Sequence, residues 1–131
     1  MTISFISMRT QFENLGDALI NRELVALLDA HSKLVVDTSG VPGWFLEALK
    51  LPANATLVKG RVKFLWALLK TRLTGHRTFY FFLPGGHFGD YSLPSFVKRA
   101  ALLVPWLILR AIGVRFCQIG TSAERLGARH A

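Results

Sequence analysis

Apolar positions along this chain fall into short dense runs separated by longer amphipathic stretches, as expected for strands alternating with helices. Ile3 to Ser7 is a β-prone run, and Ala18 to Ala30 then places Leu19, Leu24, Val25, Leu27 and Leu28 at helical spacing. Lys33 to Val36 predicts a second strand, closed by the Ser, Gly and Pro signals of Asp37 to Gly43. Trp44 to Leu49 has room for one or two helical turns. Between Lys59 and Leu73 the residues Val62, Phe64, Leu65, Trp66, Leu68, Leu69 and Leu73 share an amphipathic helix with five basic side chains, and Gly75 stops it. Thr78 to Leu83 is almost wholly apolar and aromatic, which predicts a strand covered on both faces that runs into Pro84 and Gly85. A loop from His87 to Pro94 follows. Ser95 to Gly113 then predicts a helix bent at Pro105, Arg115 to Ile119 a fourth strand ending at Gly120, and the tail to Ala131 the start of a further element.

Parallel neighbours need long crossovers, and each crossover lays a helix over the sheet. The fold class is therefore α/β: a Rossmann-like parallel sheet with helices on both faces. With 131 residues, 51% of them hydrophobic and 18% charged, and a mean hydropathy of +0.36, the chain is too apolar for disorder and of a length for one domain, residues 1–131. Ligands of such sheets sit beyond the carboxyl ends of the strands. Here those ends are Met8 to Asp17, Asp37 to Gly43, Pro84 to Asp90 and Gly120 to Glu124.

Sixteen Lys and Arg against eight Asp and Glu give +8. The excess is concentrated, since no acid lies between Glu47 and Asp90 while Lys50, Lys59, Arg61, Lys63, Lys70, Arg72 and Arg77 do. Such a field attracts phosphates, anionic sugars or lipid head groups. Nucleic acid is disfavoured, because no zinc finger, RNA-binding sheet signature or arginine-rich arm accompanies the charge. Met1 to Met8 does not read as a signal peptide, and Ala100 to Leu109 has about half the length that a membrane span requires. Cys117 is the single cysteine and reads as a buried, inert thiol, which points to a cytoplasmic setting. No zinc spacing, GxGxxG or Walker loop is present, so neither a metal nor a nucleotide cofactor is expected.

Two loops gather the residues suited to chemistry. Asn14, Gly16 and Asp17 open the first helix, where Gly16 permits close approach, Asp17 can cap, and the first-turn amides can hold an anion. Leu83 to Asp90 reads LPGGHFGD, in which Gly85 and Gly86 admit a ligand to the backbone. In the same loop stands His87, a residue type whose reference value lies near neutrality and which can serve as a general base or as a donor to a sugar hydroxyl or phosphate, and Asp90 shares the turn. Ser122 and Glu124, after Gly120, are placed to cap a helix or to touch ligand.

In this order and at these strand ends the motifs resemble the polysaccharide pyruvyl transferase family. Asn14, Gly16 and Asp17 match its Asn-x-Gly-Asp, Gly85 to Asp90 match its glycine turn followed by Asn-Phe-Gly-Asp, and Gln118 to Ser122 match its last Gln/Gly-rich turn. Pro84 stands where the first glycine of the triplet is usual, His87 stands where Asn is common, and the closing Gly-Pro is missing. The resemblance spans about residues 3 to 125 and implies the N-terminal half of a two-domain, GT-B-like enzyme. Such an enzyme moves a pyruvyl group from phosphoenolpyruvate to a sugar acceptor, in some cases lipid-linked, in building a cell-surface glycan. It implies further that His87 and Asp90 are catalytic, and that Asn14, Gly16, Asp17, Gly85, Gly86 and Ser122 bind substrate on the acceptor side. The phosphoenolpyruvate-holding residues of the family come mainly from the second half, so this chain alone is expected to be incomplete. Competing readings are a peripheral module at the inner face of the membrane, docked by the helices 59–73 and 95–113, a glycosyltransferase subunit that needs a partner, and an inactive truncated relic.

Overall fold

A computed structural model describes residues 1–10, 12–83, 85–88, 93–119 and 121–123. Its main sheet is entirely parallel and contains β1 (Thr2–Ser7), β2 (Lys33–Asp37), β3 (Thr56–Val58), β4 (Arg77–Phe82) and β6 (Arg115–Gln118) in the order β3-β2-β1-β4-β6. A second, two-stranded parallel sheet pairs β5 (Gly85–Phe88) with β7 (Thr121–Ala123). This is the α/β Rossmann-like arrangement that the sequence pattern predicts. The chain moves outward from β1 to β3, returns across β1, and moves outward again on the other side. Right-handed crossovers require the helices to change face at that reversal.

The two cores reflect the change. Helices α1 (Leu15–Asp29) and α2 (Gly43–Leu49) lie on one face, where Leu24, Val25, Leu28, Phe45 and Leu49 pack on Ile6, Leu34 and Val36. On the other face lie α3 (Arg61–Leu73) and α4 (Leu93–Ala111), where Phe64, Leu68 and Leu109 pack on Ile3, Phe5, Val35 and Tyr80. Alternation within β1 makes this two-sided core possible, since Ile3 and Phe5 face α3 while Ile6 faces α1.

Four differences from the sequence expectation have local causes. β3 was not expected; only three residues long and exposed at Thr56 and Leu57, it exists by pairing with Val35 to Asp37. Residues 85–88, read as turn and loop, form β5 because β7 lies beside them. β4 is not fully covered: Phe79 and Phe81 are half-buried, since α1 and α2 pack on the β1 and β2 half of that face. α4 begins at Leu93, so that Leu93 and Pro94, read as the end of a loop, open the helix, where the missing proline N–H has no helical partner to lose. Among the described residues no helix is long and apolar enough to cross a membrane.

Candidate functional site

Reversal of strand order between β1 and β4 opens a crevice at the carboxyl edge of the sheet, the usual ligand position in open α/β folds. A cavity of about 300 Å3 occupies it. Ser7 and Arg9 reach it from the end of β1, Asp37 from the end of β2, and Tyr80, Phe82 and Leu83 from β4 and its exit. Arg61, Phe64 and Leu65 of α3 close one side, Pro105 and Trp106 of α4 the other.

Register creates the polar end. In the parallel pairing of β1 with β2, Ser7 lies beside Asp37, and the Ser7 hydroxyl donates to Asp37 Oδ2 at 3.1 Å. Asp37 Oδ1 accepts from the Ser39 backbone N–H at 3.0 Å and from the Ser39 hydroxyl. Ser39 Oγ in turn accepts the Gly60 N–H at 2.6 Å. This ties the β2 exit to the start of α3, where Gly60 adopts a φ of +114° that a side chain would strain. Asp37 is 3% exposed, so the donors around it replace water in solvating a carboxylate. Among the described residues Oδ2 accepts from the Ser7 hydroxyl alone, which leaves lone-pair capacity toward the cavity.

Two cations line the same cavity. Arg9 donates through Nε to the Ser39 carbonyl at 3.2 Å, which fixes the guanidinium root while its other nitrogens remain for a ligand. Arg61 is the first residue of α3, where a positive charge opposes the helix dipole and gives the helix nothing. Both side chains are exposed. An acid, two forked cations and a hydroxyl at one apolar cleft can bind a ligand that carries both hydroxyls and a phosphate or carboxylate.

The floor is aromatic. Tyr80 meets Trp106 at 4.7 Å between ring centroids and Phe82 at 5.0 Å, and Trp106 stands edge-on to Phe116 at 5.4 Å. Burial pushes the Tyr80 phenol up to about 12, Asp37 adds to the rise, and Arg61 opposes it. Tyr80 is therefore a neutral phenol at physiological pH, suited to packing and hydrogen bonding rather than to proton abstraction.

The loop of Asn14, Gly16 and Asp17 takes a different part. Asn14 is the N-cap of α1, its Oδ1 accepting the Gly16 N–H at 3.0 Å. Asp17 accepts from the Thr10 hydroxyl at 2.5 Å and from Asn14 Nδ2 at 3.3 Å. The three residues hold the β1 exit onto α1, and none of them lines the cavity. Gly85 and Gly86 lie in β5, beside Thr121 and Ser122 of β7, so the structure does bring Gly86 and Ser122 together. Between Gly86 and Phe88 the register slips, leaving His87 as the extra residue of a β-bulge, a device common beside active sites. Asp90 lies outside the described residues. So does Glu124.

Sequence reading passed over Ser7, Arg9, Asp37 and Arg61 as individual site residues, although it marked the strand ends that carry Arg9 and Asp37. One signal was present: Asp37 is a carboxylate that ends the apolar run Leu34 to Val36 of an interior strand, at the edge where ligands bind. Among the described residues no cluster of His, Cys, Asp and Glu could hold a metal ion. No protein-family model, curated protein or solved structure matches this chain.

Proposed function

We propose that this chain is the acceptor-binding lobe of a transferase of the polysaccharide pyruvyl transferase kind, and that its cleft takes a sugar bearing a phosphate. The observation that carries the reading is the switch-point cavity, in which one buried acid and two exposed arginines stand over an aromatic floor. Asp37 Oδ2 and the Ser7 hydroxyl suit sugar hydroxyls, Arg9 and Arg61 suit the phosphate, and Tyr80 with Trp106 offers an apolar face to the ring. In the reaction, one sugar hydroxyl adds to the enol carbon of phosphoenolpyruvate while its methylene carbon takes a proton. A second hydroxyl of the same sugar then displaces phosphate at that carbon, closing the ketal and releasing inorganic phosphate. This lobe's contribution is to hold the acceptor and balance its charge, work that depends on fixed geometry. The bulged His87 and the neighbouring Gly85, Gly86 and Ser122 border the same carboxyl edge and are assigned to the acceptor as well, and a cytoplasmic reaction fits the source of phosphoenolpyruvate.

Amide-resolved NMR titration tests the reading, with galactose 1-phosphate, free galactose and phosphoenolpyruvate as separate probes. Shifts at Ser7, Arg9, Ser39 and Arg61 are expected with the sugar phosphate, weaker ones with the free sugar, and their loss in Asp37→Asn and Arg61→Ala. No saturable shift below about 10 mM sugar phosphate, a concentration at which binding is worth less than about 3 kcal/mol, overturns it.

A further inference from the structure

α3 is apolar on two opposite sides. Phe64 and Leu68 are buried against the sheet, yet Val62, Trp66 and Leu73 project on the far side with exposures of 82%, 65% and 70%. A helix that covers a sheet in water carries polar groups there instead. α4, on the same face, repeats the pattern: Leu109 is buried inward, while Val104, Leu107 and Ile108 are exposed outward. The outer surface of this helical layer is thus an apolar patch far beyond scattered surface residues.

Its charge selects the occupant. α3 and α4 together contain seven Lys and Arg and no Asp or Glu. Lys63 and Lys70 fall beside the Val62, Trp66 and Leu73 stripe at helical spacing, and Arg110 follows Leu107 and Ile108. Among the described residues the one ion pair is Arg22 with Glu23 in α1, on the opposite face, so Lys63, Lys70 and Arg110 have no carboxylate partner among them. Apolar side chains, an exposed Trp and Lys and Arg on the outer side of one helical layer are the chemistry of a helix lying in a lipid interface. A second copy of the chain would bring two such cationic faces together and be repelled.

We infer that the outer face of α3 and α4 docks on an anionic lipid surface. It lies flat rather than inserting across, since neither helix is long and apolar enough to span. Leu65 and Pro105 are exposed and also line the cleft, so the docked face is continuous with the cavity rim. The inference stands whatever ligand fills that cleft.

Flotation with vesicles of phosphatidylcholine alone, or with about a quarter phosphatidylglycerol, tests it on the full chain. Partitioning should rise more than about tenfold with the anionic lipid and weaken in high salt. Lys63→Glu with Lys70→Glu should lower it more than about tenfold, at roughly fivefold or more per lysine. Trp66→Glu should lower it similarly, and thermal melts should show each variant folded, since all three side chains are exposed. Lys33→Glu with Lys50→Glu makes the same change in net charge away from the patch and should leave binding within about twofold. Equal binding to neutral vesicles, no flotation, or an equal loss in that control pair overturns the inference. So does a parent dimer in sedimentation that Trp66→Glu converts to monomer, which would make a second copy the occupant.

Discussion

Replacing Asp37 with Ala removes the acceptor that organises the corner between β2 and α3. Three donors lose their partner: the Ser7 hydroxyl, the Ser39 amide and the Ser39 hydroxyl. The hydroxyls can turn toward cavity water, whereas the Ser39 N–H is fixed by the backbone. A hydrogen bond to a charged group contributes about 1.5 to 3 kcal/mol, so one bond wholly lost and two partly replaced cost about 3 kcal/mol. For 131 residues the entropy of unfolding near the midpoint is roughly 0.28 kcal/mol per degree, and the melting temperature should fall by about 11 °C. Asp37→Asn keeps one acceptor oxygen and should lose only about 1 kcal/mol, or about 4 °C. Ser39→Ala strips the Gly60 N–H of its acceptor and acts on the same network. The pair Asp37→Ala and Ser39→Ala should therefore be less damaging than the sum, with a coupling of at least about 1 kcal/mol. Calorimetry of the four proteins decides the matter. A loss under about 3 °C for Asp37→Ala, or strict additivity, refutes the network as a structural unit.

Gly113 has a φ of +95°, and an added Cβ would sit 2.6 Å from Arg72 Nη2. Gly113→Ala should cost about 2 kcal/mol in urea unfolding through strain and displacement of Arg72, whose Nε donates to the Ile112 carbonyl at 2.8 Å. Tyr80 binds its proton more tightly when folded, its phenol moving from 10.0 to about 12. The contribution is complete below pH 10 and is lost as the pH climbs through that window, because the unfolded chain then binds fewer protons than the folded one. Phenolate absorbance of Tyr91→Phe should show one late-titrating group, and Tyr80→Phe should remove that part of the alkaline loss of stability. An ordinary titration near pH 10 would contradict the burial argument.

Much of the fold was legible because it rests on local pattern. The runs at Ile3, Lys33, Thr78 and Arg115 are strands, and Ser39 and Gly40 turn the chain after the second of them. β3 and β5 were not legible for the same reason: Thr56 to Val58 is β-prone but only three residues long, Gly85 to Phe88 opens on two glycines, and both are made by partners in β2 and β7. The site divides likewise. Strand order alone located the edge, but the meeting of Ser7 with Asp37 is a consequence of register, and Arg61 arrives from a helix far along the chain. The capping signature was read at Asp17, but the N-cap is Asn14, whose Oδ1 takes the Gly16 N–H, while Asp17 lies in the first turn and accepts from the side chains of Thr10 and Asn14. The basic helix was read as amphipathic, yet its apolar residues fall on two opposite sides, a distinction that needs the identity of the buried side.

The first strand of the chain is also the middle strand of the sheet, with β2 on one edge and β4 on the other. During synthesis β2 is complete at Asp37, whereas β4 is complete only at Phe82. At about 5 to 20 residues per second, the ribosome leaves the second edge of β1 unpaired for roughly 2 to 9 seconds. Through that interval Phe5 and Ile6 sit on an open strand edge, a template for pairing with another nascent chain. Yield in the cell should therefore follow translation speed between codons 38 and 82 and the supply of chaperones that shield such edges, more than the final stability of the folded protein.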